Sequence, residues 1–188
     1  MTGMAILSAV IVVLTVVCTF IRFGPFSITL ALTPIIVGAA KYGKRAGAFF
    51  GALFGAIVLL TGIFGWDGGF VMLLMSISSI GTVLICIVKG MAAGFVAAVL
   101  YKLLAKKNET LGVLLASIAC PIVNTGLFVV GMMIFFMPTL TAMAAGESMS
   151  LVAYILFGLA GWNFIVELLT NLVLSSATAR IIRISKKM

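Results

Sequence analysis

The sequence predicts an all-α integral membrane protein, a six-helix bundle with both termini in the cytoplasm, and three observations predict it. The 188-residue chain is 64% hydrophobic and only 9% charged, which leaves too little polar surface to clothe a water-soluble globule. Its basic residues gather in three clusters: Lys41, Lys44 and Arg45; Lys102, Lys106 and Lys107; and Arg180, Arg183, Lys186 and Lys187. These clusters fall at every second boundary between apolar stretches, so the positive-inside rule places all three on the cytoplasmic side. Arg22, Asp67 and Glu147 are left to the outer connections. The net charge of +8 therefore reports orientation in the lipid bilayer and gives no reason to expect nucleic acid as a partner.

The first helix covers residues 3–22, about the twenty that a hydrocarbon core requires. No small-residue cleavage site follows it, so it reads as a retained span and not as a cleaved signal. Near its start Ala5 and Ala9 form a small-x-x-x-small pair, which lets another helix approach closely. A Gly-Pro turn then leads into a short second helix over residues 29–41, around Pro34. Its length predicts a segment that begins within the outer leaflet and is shielded by protein. Lys44 and Arg45 open the third helix, residues 44–63, where Gly47, Gly51 and Gly55 at four-residue spacing make a smooth face for tight packing.

Trp66-Asp67-Gly68-Gly69 marks an outer loop, and the apolar, serine-containing stretch after it reads as a short helix at the interface. The fourth span covers residues 82–104, with Lys89 in its outer half. The fifth covers residues 111–137, with Pro121 predicting a kink just before Asn124. A long outer loop from Pro138 to Ser150 leads to the sixth span, residues 151–180. No linker or low-complexity segment divides the chain, so residues 1–188 read as one transmembrane domain.

Several function classes drop out. With no histidine and only four scattered carboxylates, no catalytic residue and no metal site is expected. No G-x-x-x-x-G-K-[ST] segment occurs, so ATP cannot bind through a P-loop, and no cofactor is expected. Cys18, Cys86 and Cys120 lie in apolar runs at unrelated spacing, which fits buried packing residues. The chain is not read as an enzyme. If it drives transport, another subunit supplies the energy.

The informative residues are the polar groups inside the hydrocarbon. Asn163, Glu167 and Asn171 lie at i, i+4 and i+8, on one stripe of the sixth helix. An ionised side chain at the bilayer centre costs on the order of 3 kcal/mol even on a lenient insertion scale, so Glu167 and Lys89 must face protein or a wet cavity. If the fourth, fifth and sixth helices adjoin, Lys89, Asn124, Asn163 and Glu167 converge on one polar pocket, the default binding site. Asn171, about a turn deeper, reads as packing. Trp66 and Phe26, on outer connections, read as an aromatic lid or as interface anchors.

Taken in order, these residues form a recognisable series: Ala5-x-x-x-Ala9; Pro34-Ile35-Ile36-Val37-Gly38 followed by Gly43-Lys44-Arg45-Ala46-Gly47; Val88-Lys89-Gly90; Pro121-Ile122-Val123-Asn124-Thr125-Gly126-Leu127-Phe128; and Asn163-Phe164-Ile165-Val166-Glu167. Over essentially the whole chain this series resembles the substrate-binding subunits of bacterial energy-coupling factor vitamin transporters. The last two segments look most like the pantothenate-specific branch. The resemblance implies a plasma-membrane subunit that captures a vitamin from outside, with loops after the first and third helices closing the site. It further implies docking through Ala5 and Ala9 onto a membrane coupling subunit with two cytoplasmic ATPases, and toppling in the membrane to release cargo inward.

The chemistry of the polar residues favours pantothenate. Its carboxylate suits Lys89, and its amide and hydroxyls suit Asn124, Asn163 and ionised Glu167. The charge of Glu167 fits this cargo only at its hydroxyl end, or when protonated. Riboflavin, planar and neutral, calls for aromatic walls that Trp66, Trp162 and Tyr154 are too scattered to build, and folate calls for more cations than one lysine. In a second class of function, the chain is a structural or assembly subunit, with Lys89 and Glu167 a buried ion pair and the asparagines joining helices.

Overall fold

Helix formation follows from composition, because every backbone polar group in hydrocarbon must be satisfied within its own segment. The computed structural model describes residues 2–23, 26–27 and 29–187, the side chains of residues 22–23, 26–27, 162 and 185–187 excepted. The order is α1 (Thr2–Thr19), a two-residue antiparallel ladder of β1 (Arg22–Phe23) with β2 (Phe26–Ser27), α2 (Leu32–Tyr42), α3 (Lys44–Ile63) and α4 (Phe70–Ile77). Then come α5 (Ser79–Leu104), α6 (Glu109–Phe135), α7 (Met137–Gly146), α8 (Leu151–Ala153), a π-helix (Tyr154–Gly161) and α9 (Trp162–Lys187). The protein is all-α in its membrane-crossing architecture. α1, α3, α5, α6 and the Asn163–Ile184 part of α9 are each long and apolar enough to span a bilayer, and a bent pair of shorter helices brings the count to as many as six.

α2 is the exception in length. Eleven residues rise about 16 Å, roughly half the hydrocarbon core. It exists in this setting because it is enclosed: Leu32, Ile35, Ile36 and Val37 are buried against α1, α3, α5, α6 and α9. Gly43, at φ 85°, makes the junction to α3 in a conformation that a side chain would strain, and its N–H caps the Ala39 carbonyl at 3.0 Å.

The glycine stripe of α3 sets the closest helix contact. A Cβ at Gly47, Gly51 or Gly55 would strike the backbone carbonyl of Gly94, Gly90 or Cys86 on α5. Because lipid tails are as apolar as leucine, this close backbone approach, and not hydrophobic exclusion, holds such helices together. Large apolar side chains such as Val13, Phe49, Ile80, Ile134 and Val173 remain on the outer surface, where a membrane protein meets lipid.

Several sequence expectations change, beginning with the first helix, which ends at Thr19 and not at residue 22, and the second, which begins at Leu32 and not at residue 29. The stretch from Pro138 to Ser150, read as a loop, contains α7: Pro138 stands in its first turn, where its missing N–H costs nothing, and Ala142, Ala144 and Ala145 favour helix. The sixth span is interrupted. α8 passes into the π-helix, and Gly161, at φ 25°, turns the chain into α9. The fourth span starts at Ser79, not at residue 82, because the Ser78 side chain accepts the Gly81 N–H and caps it. α6 runs unbroken through Pro121, and Cys18, Cys86 and Cys120 are free and buried.

The glycine contact yields a test. Gly51→Ala lowers the stability of the detergent-solubilised protein by about 1–3 kcal/mol, the usual cost of overpacking, read as a fall in its thermal unfolding midpoint. Gly126→Ala, where a Cβ meets open space inside α6, leaves the midpoint unchanged or raises it. Equal midpoints for both variants contradict the packing described.

Candidate functional site

Two apolar clusters make up the interior. One surrounds α2 through Ile35, Phe50, Phe54, Ala97 and Ile182; the other joins α4 to α7 and the π-helix through Leu74, Ile85, Met132, Phe136, Leu140 and Leu159. Between them lies a cavity of about 100 Å³ walled by Phe54 from the first and by Leu74, Ile85 and Leu159 from the second. Each helix contributes one face to it. α5 supplies Thr82, Cys86 and Lys89, α6 supplies Asn124, Thr125 and Phe128, and α9 supplies Asn163 and Glu167, at spacings that keep each set on one side of its helix.

The cavity thus brings together Lys89, Asn124, Asn163 and Glu167. Glu167 is 2% exposed and shares the cavity wall with Thr29 and Asn124. Lys89 is placed with its Nζ 4.8 Å from the centroid of the Phe128 ring, a cation–π contact. Among the described residues, the ion pair present joins Arg183 Nε to Glu109 Oε2 at 3.6 Å, near the other end of α9; Lys89 and Glu167 share the cavity without pairing. The buried ion pair that a purely structural reading requires is therefore not formed.

Two acceptors stand out. The Oδ1 atoms of Asn124 and Asn163 are buried and have no hydrogen-bond partner. A buried polar atom left unpaired costs about 1–3 kcal/mol, so such atoms in a native protein call for an explanation. Asn171 differs. It accepts from the Thr33 hydroxyl at 3.0 Å and donates Nδ2–H to the Glu167 backbone carbonyl at 2.8 Å, which ties α2 to α9 outside the cavity wall.

Trp66 does not line the cavity. It packs against Phe20 and Phe64, at ring-centroid distances of 5.7 and 5.9 Å. The side chain of Phe26 lies outside the described residues. Ala5 and Ala9 are exposed on one face of α1. Sequence reasoning missed Asp67 as a wall residue. Its Oδ1 accepts the Gly69 N–H at 2.9 Å and its Oδ2 the Val71 N–H at 2.8 Å, which caps α4 and sets Phe70 and Val71 against the cavity. It missed Thr29 and Phe128 too. Phe128 was findable, since it stands one turn from Asn124.

Residues 1–177 match the family model of the ECF transporter, substrate-specific component. No curated protein matches the chain.

The two asparagines of α9 are expected to answer substitution in opposite directions. Asn163→Leu removes an unpaired buried oxygen and raises the thermal unfolding midpoint of the ligand-free protein, by the equivalent of about 1–2 kcal/mol. Asn171→Leu strands the Thr33 hydroxyl and lowers the midpoint by a similar amount. Destabilisation by both substitutions contradicts the distinction drawn between them.

Proposed function

Because the chain belongs to the family of energy-coupling factor (ECF) transporter substrate-specific components, we propose that it captures pantothenate in the cavity between α5, α6 and α9. Components of this family are non-catalytic membrane subunits that bind a small vitamin and pair with an energising module, whose other subunits hydrolyse ATP. The observation that carries the cargo reading is the pair of unpartnered Asn124 and Asn163 oxygens in the same cavity as the ammonium of Lys89. Such a site suits a ligand with an anion at one end and hydrogen-bond donors at the other. Pantothenate has both, a carboxylate for Lys89 and an amide N–H and a hydroxyl for the asparagine oxygens and Glu167.

A planar flavin fits less well. Phe70 and Phe128 meet at 59° with centroids 6.2 Å apart, so they do not form a parallel-walled slot, and Lys89 already covers the Phe128 ring. The cavity is smaller than the roughly 300–1,000 Å³ of typical ligand sites, so a vitamin must displace part of its wall. The π-helical segment is that wall: Ala160 lines the cavity and also an apolar surface groove of about 770 Å³ beside α6. π-Helical turns are frequent at functional sites.

On this reading the basic clusters lie in the cytoplasm with both termini, the chain sits in a bacterial plasma membrane, and cargo enters from outside. Docking on the membrane coupling subunit uses the exposed face of α1, where small Ala5 and Ala9 precede bulkier Val13 and Val17 at the same four-residue spacing.

Two outcomes test this. Lys89→Met weakens binding of pantothenate to the purified chain roughly 10–100-fold, the loss of one charge-assisted hydrogen bond, while the alcohol counterpart of pantothenate binds both forms equally. Unchanged affinity in this variant excludes the counter-ion role. Ala9→Trp abolishes vitamin uptake by cells that carry the energising subunits yet leaves calorimetric binding intact, and loss of both together removes α1 as the docking face.

A further inference from the structure

A second, smaller cavity of about 30 Å³ adjoins the first, and the two share Thr29, Phe54, Val58 and Asp67 in their walls. Its remaining lining includes Thr15 of α1 and Thr61 of α3. Its chemistry is one-sided. The Thr15 hydroxyl donates to the Ile11 carbonyl at 2.6 Å, and the Thr61 hydroxyl donates to the Ile57 and Val58 carbonyls at 3.0 and 3.1 Å. A hydroxyl has one hydrogen to give, so both oxygens face their surroundings only as acceptors. Asp67 adds a carboxylate, itself an acceptor. The lobe therefore offers oxygen lone pairs at Thr15, Thr61 and Asp67, and whatever fills it must bring hydrogens.

We propose that this lobe is a second subsite of the binding cavity, which receives a hydroxymethyl terminus of the ligand between α1 and α3. The proposal rests on the pantothenate reading above and adds the place of one end of that molecule. The size agrees, since a cavity needs roughly 10–15 Å³ to hold one water, and this one holds about two atoms of that kind. The ligand hydroxyl donates to a threonine or aspartate oxygen, while its carbon rests on Phe54 and Val58. Ligand occupancy then touches α1, whose exposed side carries Ala5 and Ala9.

Calorimetric titration of the full chain tests it with two ligands, pantothenate and an analogue whose terminal hydroxymethyl is replaced by methyl. The wild-type chain is expected to prefer pantothenate roughly tenfold, the worth of about one well-made hydrogen bond. The double variant Thr15→Val, Thr61→Val loses most of that preference and keeps its affinity for the analogue within about twofold of wild type. A wild-type chain that binds both ligands equally overturns the subsite without recourse to any variant, as does a folded double variant that discriminates as wild type does. Failure of the wild-type chain to bind either ligand overturns the pantothenate reading itself, and the subsite with it.

Discussion

An ammonium and a carboxylate placed inside hydrocarbon must be surrounded by protein or water, and the arrangement of the bundle answers that demand. Lys89 on α5 and Glu167 on α9 could have met the cost by pairing with each other. They do not. Lys89 rests on the face of Phe128, and Glu167 shares the cavity wall with Thr29 and Asn124. Both side chains have neutral neighbours, and the space between the elements stays open as a cavity with two unsatisfied amide oxygens in its wall. Buried polar networks that are only partly satisfied are costly, and a site that waits for a ligand is the setting in which that cost has a function.

The rest of the molecule follows from keeping this cavity in place without a soluble core. Glycines at 47, 51 and 55 bring α3 against α5 backbone to backbone, which fixes the helix that bears Lys89. Thr33 and Asn171 lock α2 to α9, so the stripe with Asn163 and Glu167 is oriented by a hydrogen bond one turn beyond the cavity wall. Asp67 caps α4 and thereby sets one side of the cavity. The side formed by the π-helix is held differently, by apolar contacts of Tyr154 and Leu159 and by a glycine junction to α9.

Much of this was legible in the sequence because period and charge report directly on membrane structure. The third helix is the plainest case, since Lys44 opens it and the Trp66-Asp67-Gly68-Gly69 loop follows. Lys89, Asn124, Asn163 and Glu167 were readable as one site because a polar residue in a span has few places to face. What sequence could not supply was contact across the bundle. Whether Lys89 pairs with Glu167 or with Phe128 depends on distances of a few ångströms between helices far apart in the chain. Asp67 looked like an ordinary loop acid, and its two hydrogen bonds to backbone N–H groups appear only once α4 is built. The break at residues 154–161 was hidden too, because an apolar run reads alike whether its turns are α or π.

The central claim is that the cavity is built to be filled by a ligand that the isolated chain recognises unaided. Calorimetric titration of the purified wild-type chain with pantothenate, in detergent and without ATP or any partner subunit, tests it most directly. The account predicts saturable binding at one site with a dissociation constant below about a micromolar, equivalent to roughly 8 kcal/mol or more. A folded chain that shows no saturable binding of pantothenate would contradict the account.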